Sequence, residues 1–213
     1  MSARRRAELA GALRRAELAG APSRVARTGV SSAGPLARKA LMQILDATAS
    51  HAEGIAAIYN HAVQHTTAIW NEQIVDAQDR ADWLTARQAA GFPVLVALDE
   101  DGAVLGYASY GPWRDFDGYR RTVEHSVYVR EGLRGRGTGS ALLGALIDRA
   151  RAQGIHVIVA GIDAANEGSV RLHERFGFER TGVLREVGIK FGRWLDLAFL
   201  QLVLAQETPT EGS

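Results

Sequence analysis

Residues Val127 to Gly139 read Val-Tyr-Val-Arg-Glu-Gly-Leu-Arg-Gly-Arg-Gly-Thr-Gly and join two segments of different period. An alternating apolar run from Val123 to Val129 has the period of a strand, whereas Leu142, Leu143, Leu146, Ile147 and Ala150 recur at helical spacing. Gly135, Gly137 and Gly139 fall between the two. Glycines at such a junction take positive φ and leave backbone bare, so that their N–H groups can converge on an anion at a helix start. The stretch therefore proposes a diphosphate cradle between a strand and the helix that packs on it.

What is missing narrows the diphosphate. A nucleoside triphosphate loop ends in Gly-Lys-Ser/Thr, and this loop ends Gly139-Ser140-Ala141. A dinucleotide fold wants Gly-x-Gly-x-x-Gly with an acidic residue roughly twenty positions on, and here the glycines simply alternate. The run Arg134-Gly-Arg136-Gly137-Thr138-Gly139 instead resembles the Arg/Gln-x-x-Gly-x-Gly/Ala loop with which GNAT-superfamily acetyltransferases hold the pyrophosphate of acetyl-CoA.

The chain has 213 residues, enough for one domain with a sizeable core and some tail. No cysteine is present, which removes disulfides, thiolate metal sites and a cysteine nucleophile. No apolar run reaches the roughly eighteen residues of a membrane span. The net charge of +1 conceals a split. Residues 1–41 hold nine Lys/Arg against two Asp/Glu, and the rest hold sixteen against twenty-two. A mildly acidic body argues against nucleic acid as a partner. The basic segment contains a near-repeat, Arg5 to Ala12 returning as Arg14 to Ala21, and too few bulky apolar groups to build a core. It reads as a disordered or partly helical extension, with a transit peptide or a basic arm as alternatives. The enzyme is expected to work without it, and Met42 is an alternative start.

From Met42 the elements become regular. Gln43 to Ala47 reads as a strand, and Ser50-His-Ala-Glu53 as a capping box opening a helix through Val63. Thr66 to Ile74 has no period; a second helix covers Asp79 to Ala90, stopped by Gly91 and Pro93. Val94 to Leu98 and Val104 to Tyr110 are strands joined through Asp99-Glu-Asp-Gly102. After the glycine loop and its helix come a buried-type strand at Val157 to Ile162, a short helix from Asn166, and strands near Glu179 to Val187 and Trp194 to Leu204. Residues 205–213 are a polar tail. The helix after the glycine loop must return the chain to a parallel neighbour, which makes the sheet mixed.

Further motifs stand in the order and spacing of one GNAT branch: Gly111-Pro-Trp-Arg114, Thr122-Val-Glu-His-Ser-Val-Tyr-Val129, Asn166-Glu-Gly-Ser169-Val-Arg-Leu-His173-Glu-Arg-Phe-Gly-Phe178 and Gly192-Arg-Trp194-Leu-Asp196. The branch resembles the phosphinothricin and methionine sulfoximine N-acetyltransferases, and the resemblance covers residues 42–204. It implies an α/β fold with a mixed, mostly antiparallel twisted sheet flanked by helices, acetyl-CoA as cosubstrate without a metal, a homodimer, and a cytoplasmic enzyme acting on the α-amine of a small amino-acid-like acceptor.

Chemistry assigns candidate roles within that frame. Backbone N–H groups from Gly135 through Gly137, Thr138 and Gly139 to Ser140 suit a pyrophosphate, with Arg134 and Arg136 adding charge. By resemblance the pantetheine arm extends the sheet at Val127, Tyr128 and Val129 and bonds Asn166, which is otherwise an ordinary helix cap. Glu124 sits in a strand that reads as buried, where a charge is costly unless paired or functional, so it is a general base or half of an ion pair. His173 stands where most GNAT members carry tyrosine and is an acid to the thiolate, a base to the amine, or a satisfied core histidine. His125 points to the face opposite Glu124 and reads as a bystander to the proton transfer.

For the acceptor, Arg114 offers a guanidinium clamp for a carboxylate, and the resemblance adds Asp115, Phe116 and the segment Glu124, His125 and Ser126. Trp70 and Trp113 either wall the pocket or pack a lid. His61 and His65, four apart, lack a third ligand for a metal. Alternative functions are acetylation of a protein N-terminus, a polyamine or an aminoglycoside, a silent acyl-CoA sensor, or a nucleic-acid-associated regulator.

Overall fold

The computed structural model describes residues 42–204, so the readings made for 1–41 and 205–213 lie outside the described residues. The chain opens with β1 (Gln43–Asp46), then α1 (Ala52–His65) and α2 (Ala77–Ala89). A meander follows of β2 (Val94–Leu98), β3 (Val104–Pro112) and β4 (Thr122–Val129). Next come α3 (Thr138–Ala152), β5 (Val157–Asp163) and α4 (Glu167–Arg175), and the hairpin β6 (Glu179–Lys190) and β7 (Arg193–Val203) closes the fold. All seven strands join one sheet in the order β1-β2-β3-β4-β5-β7-β6. Among neighbouring strands only β4 and β5 pair parallel, the single helix α3 carrying the chain back across the sheet, whereas β1 and β2, joined through α1 and α2, pair antiparallel.

Alternate residues of one strand reach two cores. Leu95 and Ala97 of β2 face α3, where Leu142, Leu143, Leu146, Ile147 and Ala150 are buried. Val94, Val96 and Leu98 face the other way, onto Ile55 and Ile58 of α1 and Leu84 of α2. Both faces of the central sheet are thus covered, and each fully buried leucine contributes roughly 1.5–3 kcal/mol relative to exposure. The edge strand β6 meets Trp70 at Gly188 and the segment after α1 at Lys190, but Val183, Leu184, Val187 and Ile189 are exposed, with Phe191 of the turn and Trp194 of β7 nearby.

Two local expectations are corrected. Ser50 and Glu53 do not form the cap of α1. A 3-10 turn over Ala49–His51 precedes the helix, the Thr48 N–H donates to His51 Nδ1 at 2.9 Å, and Ser50 Oγ bonds Thr48 Oγ1 at 2.8 Å. A histidine nitrogen supplies the acceptor that the pattern assigned to a glutamate. Gly139 does not take positive φ either, because α3 starts at Thr138 and places it in the first turn; Gly132, Gly135 and Gly137 are the left-handed residues of the loop.

Candidate active site

The site is organised by a fork in the sheet. β4 and β5 pair through only Thr122, Val123 and Glu124, opposite Val157, Ile158 and Val159. Beyond Glu124, β4 keeps its β3 partners as far as Val129, while β5 continues on β7 alone. The edge of β4 from His125 to Val129 is therefore free of a β5 neighbour, and peptide-like ligands pair with such edges. Val127, Tyr128 and Val129 line a groove of about 1020 Å³ beside it.

The same groove reaches the glycine loop. Gly137, with φ 92°, is the N-cap of α3, a conformation that a Cβ would strain. Ala141 is the first amide bonded back into the helix, to Gly137 O at 2.9 Å, so the N–H groups of Thr138, Gly139 and Ser140 have no intrahelical partner. Arg134, Gly135, Gly137, Gly139 and Ser140 line the groove; Thr138 is buried beneath it and Arg136 lies off its wall. These orphan donors at a helix start, with a guanidinium alongside, fit a diphosphate.

A smaller cavity of about 310 Å³ lies inside the fork, walled by Glu124, Ser126, Gly161, Asp163 and the segment from Thr67 to Trp70. Tyr128 and Asn166 border both spaces. Glu124 has an open residue surface, which corrects the expectation of a buried strand position, yet protein atoms crowd its carboxyl. That desolvation raises its pKa above the usual carboxylate range, and the Arg114 guanidinium pulls it partly back. A carboxyl held this way is a stronger base than a free one.

The description of the acetyltransferase (GNAT) family matches residues 55–178. The chain belongs to this family. A relative from Pseudomonas paraeruginosa, an L-methionine sulfoximine/L-methionine sulfone acetyltransferase, is 60% identical over 76% of this chain and 94% of its own. A phosphinothricin N-acetyltransferase of Streptomyces coelicolor is 41% identical over 68% of this chain and 85% of its own. The structure of an acetyltransferase from Salmonella typhimurium with its cofactor acetyl-CoA superposes with a TM-score of 0.78 at 51% identity, covering 81% of this chain and 99% of that one.

Not every residue singled out for this GNAT enzyme reaches a cavity wall. Arg114 is exposed, 4.9 Å over the Trp113 ring, and Trp113 packs edge-on to Phe199 at 5.6 Å. Asp115 and Phe116 follow on the same loop, with Phe116 76% exposed. Asn166 caps α4, its Oδ1 accepting the Ser169 N–H at 3.1 Å. Trp70 walls the small cavity, donating from Nε1 to Thr67 O at 2.8 Å. His61 borders the groove and bonds Glu131 at 3.2 Å; no group of three metal-ligating side chains occurs among the described residues.

The geometry also adds residues to the GNAT site. Asp163, buried at the end of β5, accepts from Thr67 Oγ1 and from the Ala165 N–H at 3.0 Å, tying the segment after α1 to the fork. A carboxylate closing an apolar strand was the available signal, the same one that drew attention to Glu124. His125, expected as a bystander, does sit on the face opposite Glu124, but its Nε2 lies 3.1 Å from His173 Nε2. His173 Nδ1 bonds Ser169 O at 2.7 Å, so both of its ring nitrogens are engaged. No spacing rule links positions 48 residues apart.

Proposed function

We propose that this chain is a cytoplasmic acetyl-CoA-dependent N-acetyltransferase of small amino-acid-like amines, with phosphinothricin and L-methionine sulfoximine as its model acceptors. The observation that carries this reading is the position of Glu124 at the fork, where the free strand edge and its groove meet a cavity of about 310 Å³, small enough for an amino acid. Acetyl-CoA brings the acetyl group as a thioester. The amides from Gly135 to Ser140 and Arg134 hold its diphosphate, the β4 edge from Val127 to Val129 holds its amide arm, and Asn166 contacts that arm.

Glu124 takes the proton of the acceptor amine, directly or through one water, and its raised pKa suits the task. His173 has neither ring nitrogen open in this arrangement, which leaves the base role to Glu124. Arg114 clamps the acceptor carboxylate, with Asp115 and Phe116 as outer contacts on its loop.

The test is CoA release with L-methionine sulfoximine, phosphinothricin, plain amino acids, an aminoglycoside and an N-terminal peptide as acceptors. Turnover on the first two is expected; turnover only on the peptide or aminoglycoside overturns the acceptor class. Arg114→Ala should raise KM for carboxylate-bearing acceptors about tenfold to a hundredfold, the worth of a charge-assisted hydrogen bond. The same substitution removes the cation that holds the Glu124 pKa down, so the ascending limb of kcat, which needs the carboxylate, moves to higher pH. An unmoved limb and an unchanged KM would place Arg114 outside the site.

A second copy of the chain is the proposed cover for the apolar edge formed by β6 and its turn, since unpaired apolar edges are otherwise aggregation sites. Light scattering should give twice the chain mass, and a monomer at micromolar concentration sinks this part of the proposal.

A further inference from the structure

The two facing histidines can be given protonation states from geometry alone. A carbonyl oxygen only accepts, so the 2.7 Å contact with Ser169 O places a proton on His173 Nδ1. The 3.1 Å between the two Nε2 atoms holds one proton. In a neutral pair that proton belongs to His125, because His173 already carries its own. His125 Nδ1 is then bare, and it is the buried side-chain nitrogen without a hydrogen-bond partner among the described residues.

We infer that His125 is a positioning residue: by donating from Nε2 it fixes His173 as the neutral Nδ1–H tautomer, so that neither ring takes the amine proton or delivers one to the departing thiolate. This deepens the proposed acetyl transfer and rests on that reading. A proton entering the pair has one vacant nitrogen, His125 Nδ1, and that atom has nothing to pair with. The ring centroids lie 5.0 Å apart with their planes 26° apart, and Phe178 packs against the two rings at 5.6 and 5.1 Å.

Of the charged groups on the shared cavity, Glu124 of β4 projects from the other face of the strand and Asp163 of β5 is bonded to Thr67 and Ala165. The segment after α1 and the start of α4 contribute Thr67, Trp70, Asn166 and Ser169, none of them charged. Burial, and then His173, push His125 down to about 3; burial also lowers His173, against the hydrogen bond to Ser169 that raises it. The lock further tethers Ser169 in the first turn of α4, beside Asn166, to the strand that carries Glu124.

The experiment is a long-range 1H–15N spectrum of the imidazole nitrogens in the full chain, recorded from about pH 5 to 8, the range in which an ordinary histidine titrates. The expected result is His173 protonated at Nδ1, His125 at Nε2, and no titration of either. A midpoint for either ring inside that range, or His173 protonated at Nε2, overturns the proposal. His125→Phe should bring His173 into titration and add a second limb to the pH profile of kcat. His125→Gln, whose amide can still donate to His173, should restore the single limb. A His125→Phe profile identical to that of the parent also overturns the lock. If Glu124 is not the base, Glu124→Gln will retain activity while the histidine spectrum stays as expected, so the two failures are separable.

Discussion

Glu124→Gln is expected to lower kcat by about 10²–10⁴, the usual contribution of a positioned general base, while acetyl-CoA affinity stays within about twofold. Glutamine keeps the shape and a hydrogen-bonding end but cannot accept the amine proton. The separation of effects follows from the layout: Glu124 walls the small cavity, whereas the groove is lined by the β4 edge beyond it, the glycine loop and one side of α4. Single-turnover kinetics and calorimetric titration with acetyl-CoA check the two halves. Loss of cofactor binding in proportion to rate would make Glu124 a structural residue of the fork. Gly161 supports the arrangement from β5, since a Cβ there would stand 3.0 Å from Glu124 Oε1.

The second large effect is expected from a residue far along the sequence. A Cβ at Gly188 would lie 2.2 Å and 2.4 Å from two atoms of the Trp70 ring, which no side-chain contact tolerates. Trp70 is fixed by its bond to Thr67 O, and Thr67 by Asp163, so the ring cannot yield without moving the wall of the acceptor cavity. Lys190, buried two residues on, donates to Ile69 O in the same wall. Gly188→Ala should therefore cut kcat/KM for the acceptor about a hundredfold, the scale set by an ångström of misplacement, with acetyl-CoA binding and the fold retained. Normal acceptor kinetics in a folded Gly188→Ala protein would show that this wall does not position the acceptor.

Strand and helix order could be read from the sequence because each element announces itself locally. Val123 to Val129 alternates, α3 repeats its leucines, and Asn166 and Gly177 bound α4. The parallel step from β4 to β5 followed from the helix between them. The start of α1 was less legible, because a 3-10 turn held by Thr48 and His51 precedes it; that of α2 is an ordinary aspartate cap, Asp76 Oδ1 accepting the Asp79 N–H. In the proposed donor groove, Arg134, Gly135 and Gly137 could be picked out by spacing, whereas Arg136 lies off the wall. The acceptor side depends on contacts between distant segments: Thr67 with Asp163, Trp70 with Gly188, Lys190 with Ile69, His125 with His173. No local rule predicts such meetings, since tertiary packing creates them.

The three-rung seam between β4 and β5 divides the sheet into two blocks. One block, β1 to β4, carries the free strand edge and Glu124; the other, β5 with β7 and β6, carries Asp163, Gly161 and the hairpin against which Trp70 rests. The small cavity therefore takes Glu124 and Ser126 from the first block and Gly161 and Asp163 from the second, and the groove adds α4, beyond β5, to the β4 edge. Substitutions at Gly161 or in the hairpin against Trp70 can therefore reshape the small cavity while the β4 edge and the glycine loop stay as they are.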